Sequence, residues 1–122
     1  MAQKSNMHET DLYKPLRAFL EAQGYQVQGE VKGCDLAAIM EDDLIVVEMK
    51  TSFNLKLLSQ AVRRQRAVDS VYVAIPKPRG GRRAAGWKDM CMLLRRLEIG
   101  LITVDLAKAD GNVEVHFHPH TF

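Results

Sequence analysis

Asp35-Leu36-Ala37-Ala38-Ile39-Met40-Glu41-Asp42-Asp43-Leu44-Ile45-Val46-Val47-Glu48-Met49-Lys50 holds two apolar runs, 36–40 and 44–47, around the acidic turn Glu41-Asp42-Asp43. Apolar runs of strand length around a compact polar connection predict a β-hairpin. In an antiparallel pair the start of one strand lies beside the end of the next, so Asp35 should sit near Glu48 and Lys50. Side chains alternate faces along a strand, which puts Glu48 and Lys50 together and turns Met49 away. Two carboxylates held about 4 Å apart repel by roughly 4 kcal/mol at an effective dielectric of about 20. Either one of them takes up a proton or a cation sits between them. A hard divalent ion suits oxygen ligands, and magnesium needs only one or two protein carboxylates. Bound there, it would ease deprotonation of a water and stabilise charge on a phosphoryl oxygen. The blander reading is an edge-strand Glu48–Lys50 ion pair, worth under about 1 kcal/mol if exposed.

The flanking sequence extends this pattern. Leu12, Leu16, Phe19 and Leu20 recur at helical spacing over residues 9–23, and Gly24 stops the helix. Pro15 inside that run requires the helix to begin near Asp11 or to bend. Residues 1–8 are polar and expected to be loose. Tyr25-Gln26-Val27-Gln28 alternates as a first strand, and Glu30 ends it either as a further carboxylate near Asp35 or as a solvated turn residue. Asn54 is a good N-cap for a second helix over about 55–68, with Gln60, Arg63 and Arg64 away from its apolar stripe. Val71-Tyr72-Val73-Ala74-Ile75 reads as a central strand buried on both faces. Lys77, Arg79, Arg82 and Arg83 crowd the Pro- and Gly-rich stretch 76–83, a loop with phosphate-contact character. A third helix is expected over 87–98, and strands 101–106 and 113–117 form a second hairpin about Asp110-Gly111-Asn112. His116 and His118 would share a strand face, as a zinc or nickel chelate or as exposed polar side chains on an edge strand.

The order α-β-β-β-α-β-α-β-β carries a resemblance. Glu9-Thr10-Asp11-Leu12-Tyr13, Gly33-Cys34-Asp35-Leu36, Val47-Glu48-Met49-Lys50, Phe53-Asn54-Leu55, Gln60-Ala61-Val62 and Val71-to-Pro76 together resemble the PD-(D/E)XK phosphodiesterase superfamily. The match is to a little-characterised bacterial branch of it and spans about Glu9 to Val115. Cys34 stands where the superfamily's name has a proline, a position that varies widely. The resemblance implies a restriction-endonuclease-like αβββαβ core, α/β with a mixed sheet flanked by helices, plus an extra helix and a C-terminal β-hairpin. It implies a magnesium- or manganese-dependent nuclease acting on nucleic acid, with DNA the expected substrate. Asp35, Glu48 and the Met49 carbonyl would hold the ion, and Lys50 would orient or deprotonate water. Gln60 and Glu9 would support them. Glu9 otherwise simply favours the positive end of its helix. Arg63, Arg64, Lys77, Arg79, Arg82 and Arg83 would contact phosphate. Longer members of the branch carry sequence after this core, so a target-recognition element is not expected within the 122 residues.

Length and composition bound the rest. One domain, 1–122, fits 122 residues. A hydrophobic content of 47% with 26% charged residues describes a globular chain rather than a disordered one. No apolar run approaches the roughly 20 residues of a membrane helix, and the first residues lack an apolar signal core. A cytoplasmic protein with reduced, buried Cys34 and Cys91 is the expectation. The net charge of +2 is too small to prove nucleic-acid binding. A non-catalytic nucleic-acid-binding module or a structural protein on the same fold is the competing reading. Paired cuts on duplex DNA would favour a homodimer.

Overall fold

A computed structural model describes residues 8–31, 35–108 and 112–120, with main chain alone at 29–31. The N-terminal segment, the Glu30 side chain, Cys34 and the Asp110-Gly111 turn lie outside the described residues. The chain folds as α1 (Thr10–Ala22), β1 (Gln26–Val31), β2 (Asp35–Met40), β3 (Asp43–Met49), α2 (Leu55–Arg64), β4 (Ser70–Pro76), α3 (Trp87–Arg96), β5 (Gly100–Asp105) and β6 (Asn112–Phe117). A short 3₁₀ turn, Gly81–Arg83, precedes α3. The six strands form one mixed sheet in sequential order. β3, β4 and β5 run parallel, and the outer pairings are antiparallel.

The alternation of β3 decides which helix covers which face. Ile45, Val47 and Met49 join Leu12, Leu16 and Leu20 of α1 in one buried cluster. On the other face Val71, Val73 and Ile75 of β4 pack with Leu57 and Ala61 of α2 and with Trp87, Met90 and Leu94 of α3. The sheet is therefore sandwiched, α1 on one side and α2 with α3 on the other. Parallel strands buried on both faces explain the unbroken apolar reading of residues 71–75.

Helix boundaries follow local chemistry. Asn54 accepts a hydrogen bond from the Leu57 N–H at 2.8 Å and caps α2. α2 stops at Arg64, four residues short of the span that its sequence pattern predicts. Past that point Gln65 turns its amide to the Leu97 carbonyl at the end of α3, 2.8 Å away. α1 begins at Thr10 and carries Pro15 internally, so the Asp11 carbonyl receives no bond from that residue.

β6 departs from simple alternation. A register shift between Leu101 and Ile102 re-aims its end. His116 turns to the α3 face, where its Nε2 lies 2.9 Å from Thr103 Oγ1 and its ring meets Trp87 edge-on. His118 instead places Nδ1 2.6 Å from the Tyr72 hydroxyl, a residue of the α1-side cluster. The two imidazoles thus serve opposite sides of the sheet and do not chelate one ion. Burial pushes the Tyr72 hydroxyl up to about 12, so it stays protonated at neutral pH. Among the described residues, no helix is long and apolar enough to cross a membrane.

Tyr72 has room for its ring because Gly100 opposes it across the β4–β5 pair. A Cβ on Gly100 would meet Tyr72 Cδ2 at 2.5 Å and Cε2 at 2.7 Å. Gly100→Ala is expected to lower stability by about 1–3 kcal/mol through overpacking, read as a lower urea midpoint. An unchanged midpoint would mean that the Tyr72 ring shifts freely.

Candidate functional site

Asp35 and Glu48 are direct cross-strand partners in the β2–β3 hairpin. Glu48 faces the α2 side, since Val47 and Met49 face α1. Both acids are buried, Asp35 5% and Glu48 2% exposed, in a sheet whose other buried side chains are nearly all apolar. Such burial of a like-charged pair requires compensation.

Arg64, at the last turn of α2, supplies it. Its Nε donates to Glu48 Oε2 at 2.6 Å and its Nη2 to Asp35 Oδ2 at 2.5 Å. One guanidinium thus bridges acids from two strands. The fork geometry of arginine suits this, since each nitrogen can address a different oxygen. Burial is the largest influence on Glu48 and pushes its carboxyl above the usual range. The Arg64 hydrogen bond pulls the other way, Asp35 adds a further upward push, and Lys50 a small downward one. The folded state holds the Glu48 proton more tightly than the unfolded chain does. Its contribution to stability is therefore full below the unfolded value and is lost as pH rises through the folded one.

The remaining candidates divide by geometry. Lys50 is half-buried at the strand end, on the Glu48 face, close enough to act on that carboxylate through its charge. Its N–H donates to the Ala74 carbonyl of β4 at 3.1 Å. Main-chain groups alternate sides along a strand, so the Met49 carbonyl points the other way, toward the β2 side. The Met49 side chain is buried on the α1 face. Gln60 lies one helical turn before Arg64, on the same side of α2. Its Oε1 is buried and meets no hydrogen-bond donor among the described residues. A buried acceptor left unsatisfied costs about 1–3 kcal/mol, which a hydrogen bond from a water or a ligand would remove.

The other predicted residues lie on other elements. Glu9 is at the N-cap position of α1, whose helix packs on the opposite face of the sheet. Lys77 lies 4.0 Å from Asp105, and Arg82 pairs with Glu114 at 3.0 Å. Arg63 lines a shallow hollow on the outside of α2, and Arg79 and Arg83 are exposed. Among the described residues, no three His, Cys, Asp or Glu side chains gather as a metal-binding group. Two carboxylates with a main-chain carbonyl still make a hard, all-oxygen donor set, which meets the modest protein demand of magnesium. The unpartnered Gln60 acceptor fits a site completed by a water or a substrate group. Arg64 occupies the position between the acids that such an ion would take. Its side chain is 44% exposed, so it can leave toward solvent, whereas the carboxylates cannot.

The bridging role of Arg64 is what sequence reasoning missed; the usable signal was its spacing of four from Gln60. Comparison with protein-family models and with curated proteins gave no match.

Arg64→Gln should lower the stability of the chelator-treated protein by about 2 kcal/mol, less than for a fully buried pair because the arginine is partly solvated. Adding Glu48→Gln should restore part of this loss in a double-mutant cycle read by urea unfolding. Additive losses would show that the bridge carries no coupling.

Proposed function

We propose that the protein is a divalent-metal-dependent nuclease that hydrolyses phosphodiester bonds of nucleic acid, with DNA the expected substrate. The observation that carries this reading is the buried Asp35–Glu48 pair, with Lys50 on the same face at the strand end. The α/β order and mixed sheet are compatible with the restriction-endonuclease-like core that the motif resemblance implies. In this reading Asp35, Glu48 and the Met49 carbonyl hold magnesium or manganese. The ion, when bound, supplies charge stabilisation at the phosphoryl oxygen and lowers the pKa of water.

The chain's own residues do the remaining work. Lys50, beside Glu48 and open to solvent on one side, orients the attacking water and takes or shares its proton. Gln60 offers its unpaired carbonyl oxygen to a donor in the site, which fixes the direction of that donor. Arg64, once displaced from the acids, presents a fork complementary to a phosphate. Burial keeps bulk water from competing around Asp35 and Glu48 and strengthens every charge interaction there. Glu9 supports the site only from the α1 side. Lys77, Arg79, Arg82 and Arg83 form a basic margin for the phosphate backbone.

A second reading rests on the Arg64 bridge itself. An arginine that neutralises both acids makes the cluster self-sufficient, as in a non-catalytic nucleic-acid-binding or structural protein. Catalysis and this alternative separate on one residue. Lys50→Ala is expected to slow manganese-dependent cleavage of DNA by about a hundredfold or more in single-turnover assays while leaving the metal-induced rise in Tm. A variant that cleaves as fast as the wild type would remove Lys50 from the mechanism. A wild-type protein that binds DNA without cleaving it in either metal would favour the second reading.

A further inference from the structure

A cleft of about 470 Å³ lies between α3 and β6, away from the carboxylate pair. Glu48, Val73, Leu101 and Phe117 are successive partners across the sheet. Three strand spacings of about 4.8 Å put the cleft floor roughly 14 Å from Glu48. The cleft has its own chemistry. Arg82, Lys88, Arg95 and Arg96 line it, and Glu114 stands at its edge, against Arg82 and His116. Trp87 and Phe117 form an apolar floor.

Two contacts organise this surface. The Arg95 guanidinium sits over the Phe117 ring, 4.4 Å from its centroid. A guanidinium stacked on one ring still offers its outer face to a second planar group. Among the described residues Arg82 pairs with Glu114, and both side chains are well exposed at 71% and 48%. Such a surface pair is worth under about 1 kcal/mol and exchanges readily for a stronger anion. His116, which also lines the cleft and is pushed below its ordinary value by burial, bonds to Thr103 and meets Trp87 edge-on.

We propose that the α3–β6 cleft binds an unpaired nucleotide, its base against Arg95 and the apolar floor and its phosphate against Arg82, Lys88 and Arg96. The cleft volume falls within the range of small-ligand sites. Four cations against the single Glu114 carboxylate at the edge favour an anion, and the apolar floor asks for a planar apolar body beside it. Inorganic phosphate satisfies only the first demand. A duplex hides its bases and would meet the cationic rim alone. The inference does not depend on the metal-dependent reading of Asp35 and Glu48.

Trp87 is the sole tryptophan of the chain, so its fluorescence reports on this cleft directly. The test titrates the whole chain, in chelator so that no metal-dependent cleavage occurs, with dAMP, an oligothymidylate, duplex DNA, ribose 5-phosphate and inorganic phosphate. The proposal expects saturable, salt-sensitive quenching by dAMP or by the oligothymidylate. Saturation by dAMP alone identifies a free nucleotide as the ligand, and much tighter binding of the oligomer identifies a single strand. Arg95→Ala should weaken binding about tenfold, the loss of one stacked base. The double variant Lys88→Ala/Arg96→Ala, at two exposed positions, should weaken it with no change in the unfolding midpoint. Equal affinity for ribose 5-phosphate or inorganic phosphate would overturn the proposal in favour of a plain anion site. Tightest binding of duplex DNA, or no quenching by any probe, would overturn it too.

Discussion

A pair of like charges buried side by side on adjacent strands is the constraint that the site is built around. The β2–β3 register places Asp35 opposite Glu48, and the sheet then removes both from water. Repulsion of this kind, several kcal/mol at close range, cannot stand uncompensated in a domain of ordinary stability. Arg64 reaches from the end of α2 to cancel it. The helix that covers this face of the sheet thus also delivers the counter-ion. Its start is fixed by the Asn54 cap and its inner face by Leu57 and Ala61, so the position of Arg64 follows from both ends of the helix.

The same arrangement gives the site two possible states of charge balance. Arginine satisfies the acids with one distributed positive charge and solvated edges. A doubly charged ion would satisfy them more strongly and free the guanidinium for a phosphate. Which state wins depends on the difference between two large terms, the desolvation of the ion and its attraction to the buried acids. The solvent access of Arg64 keeps that exchange open. Lys50 at the end of β3 and Gln60 one turn before Arg64 flank the acids from the strand and from the helix.

Much of the fold was legible because hydrophobic period and turn chemistry agree. The hairpin could be read from two apolar runs and three acidic residues, and its register followed from antiparallel geometry alone. The capped start of α2 and the doubly buried β4 were equally plain. What escaped was side-chain reach across elements. Arg64 looked like part of a basic helix face, as Arg63 still is, because nothing in a helical period says that a long side chain will bend back to a strand. The end of α2 was overrun because past Arg64 the chain tightens into turns, with the Arg66 and Ala67 N–H groups bonding three residues back to Arg63 and Arg64, which a helical period does not foresee. The shared face expected for His116 and His118 failed on a register shift, which strand alternation does not foresee. The cleft between α3 and β6 was invisible for a related reason. Arg82 comes from a 3₁₀ turn, Arg95 from a helix and Phe117 from a strand, and only the folded chain brings them together.

The central claim is that Asp35 and Glu48 form a cation site in which Arg64 stands where a divalent ion can bind. Anomalous diffraction from crystals soaked in manganese tests it most directly. The account predicts a manganese peak within bonding distance of both carboxylates, with the Arg64 guanidinium moved off them toward solvent. An Arg64 bridge that stays intact at saturating manganese, with no peak between the acids, would contradict it.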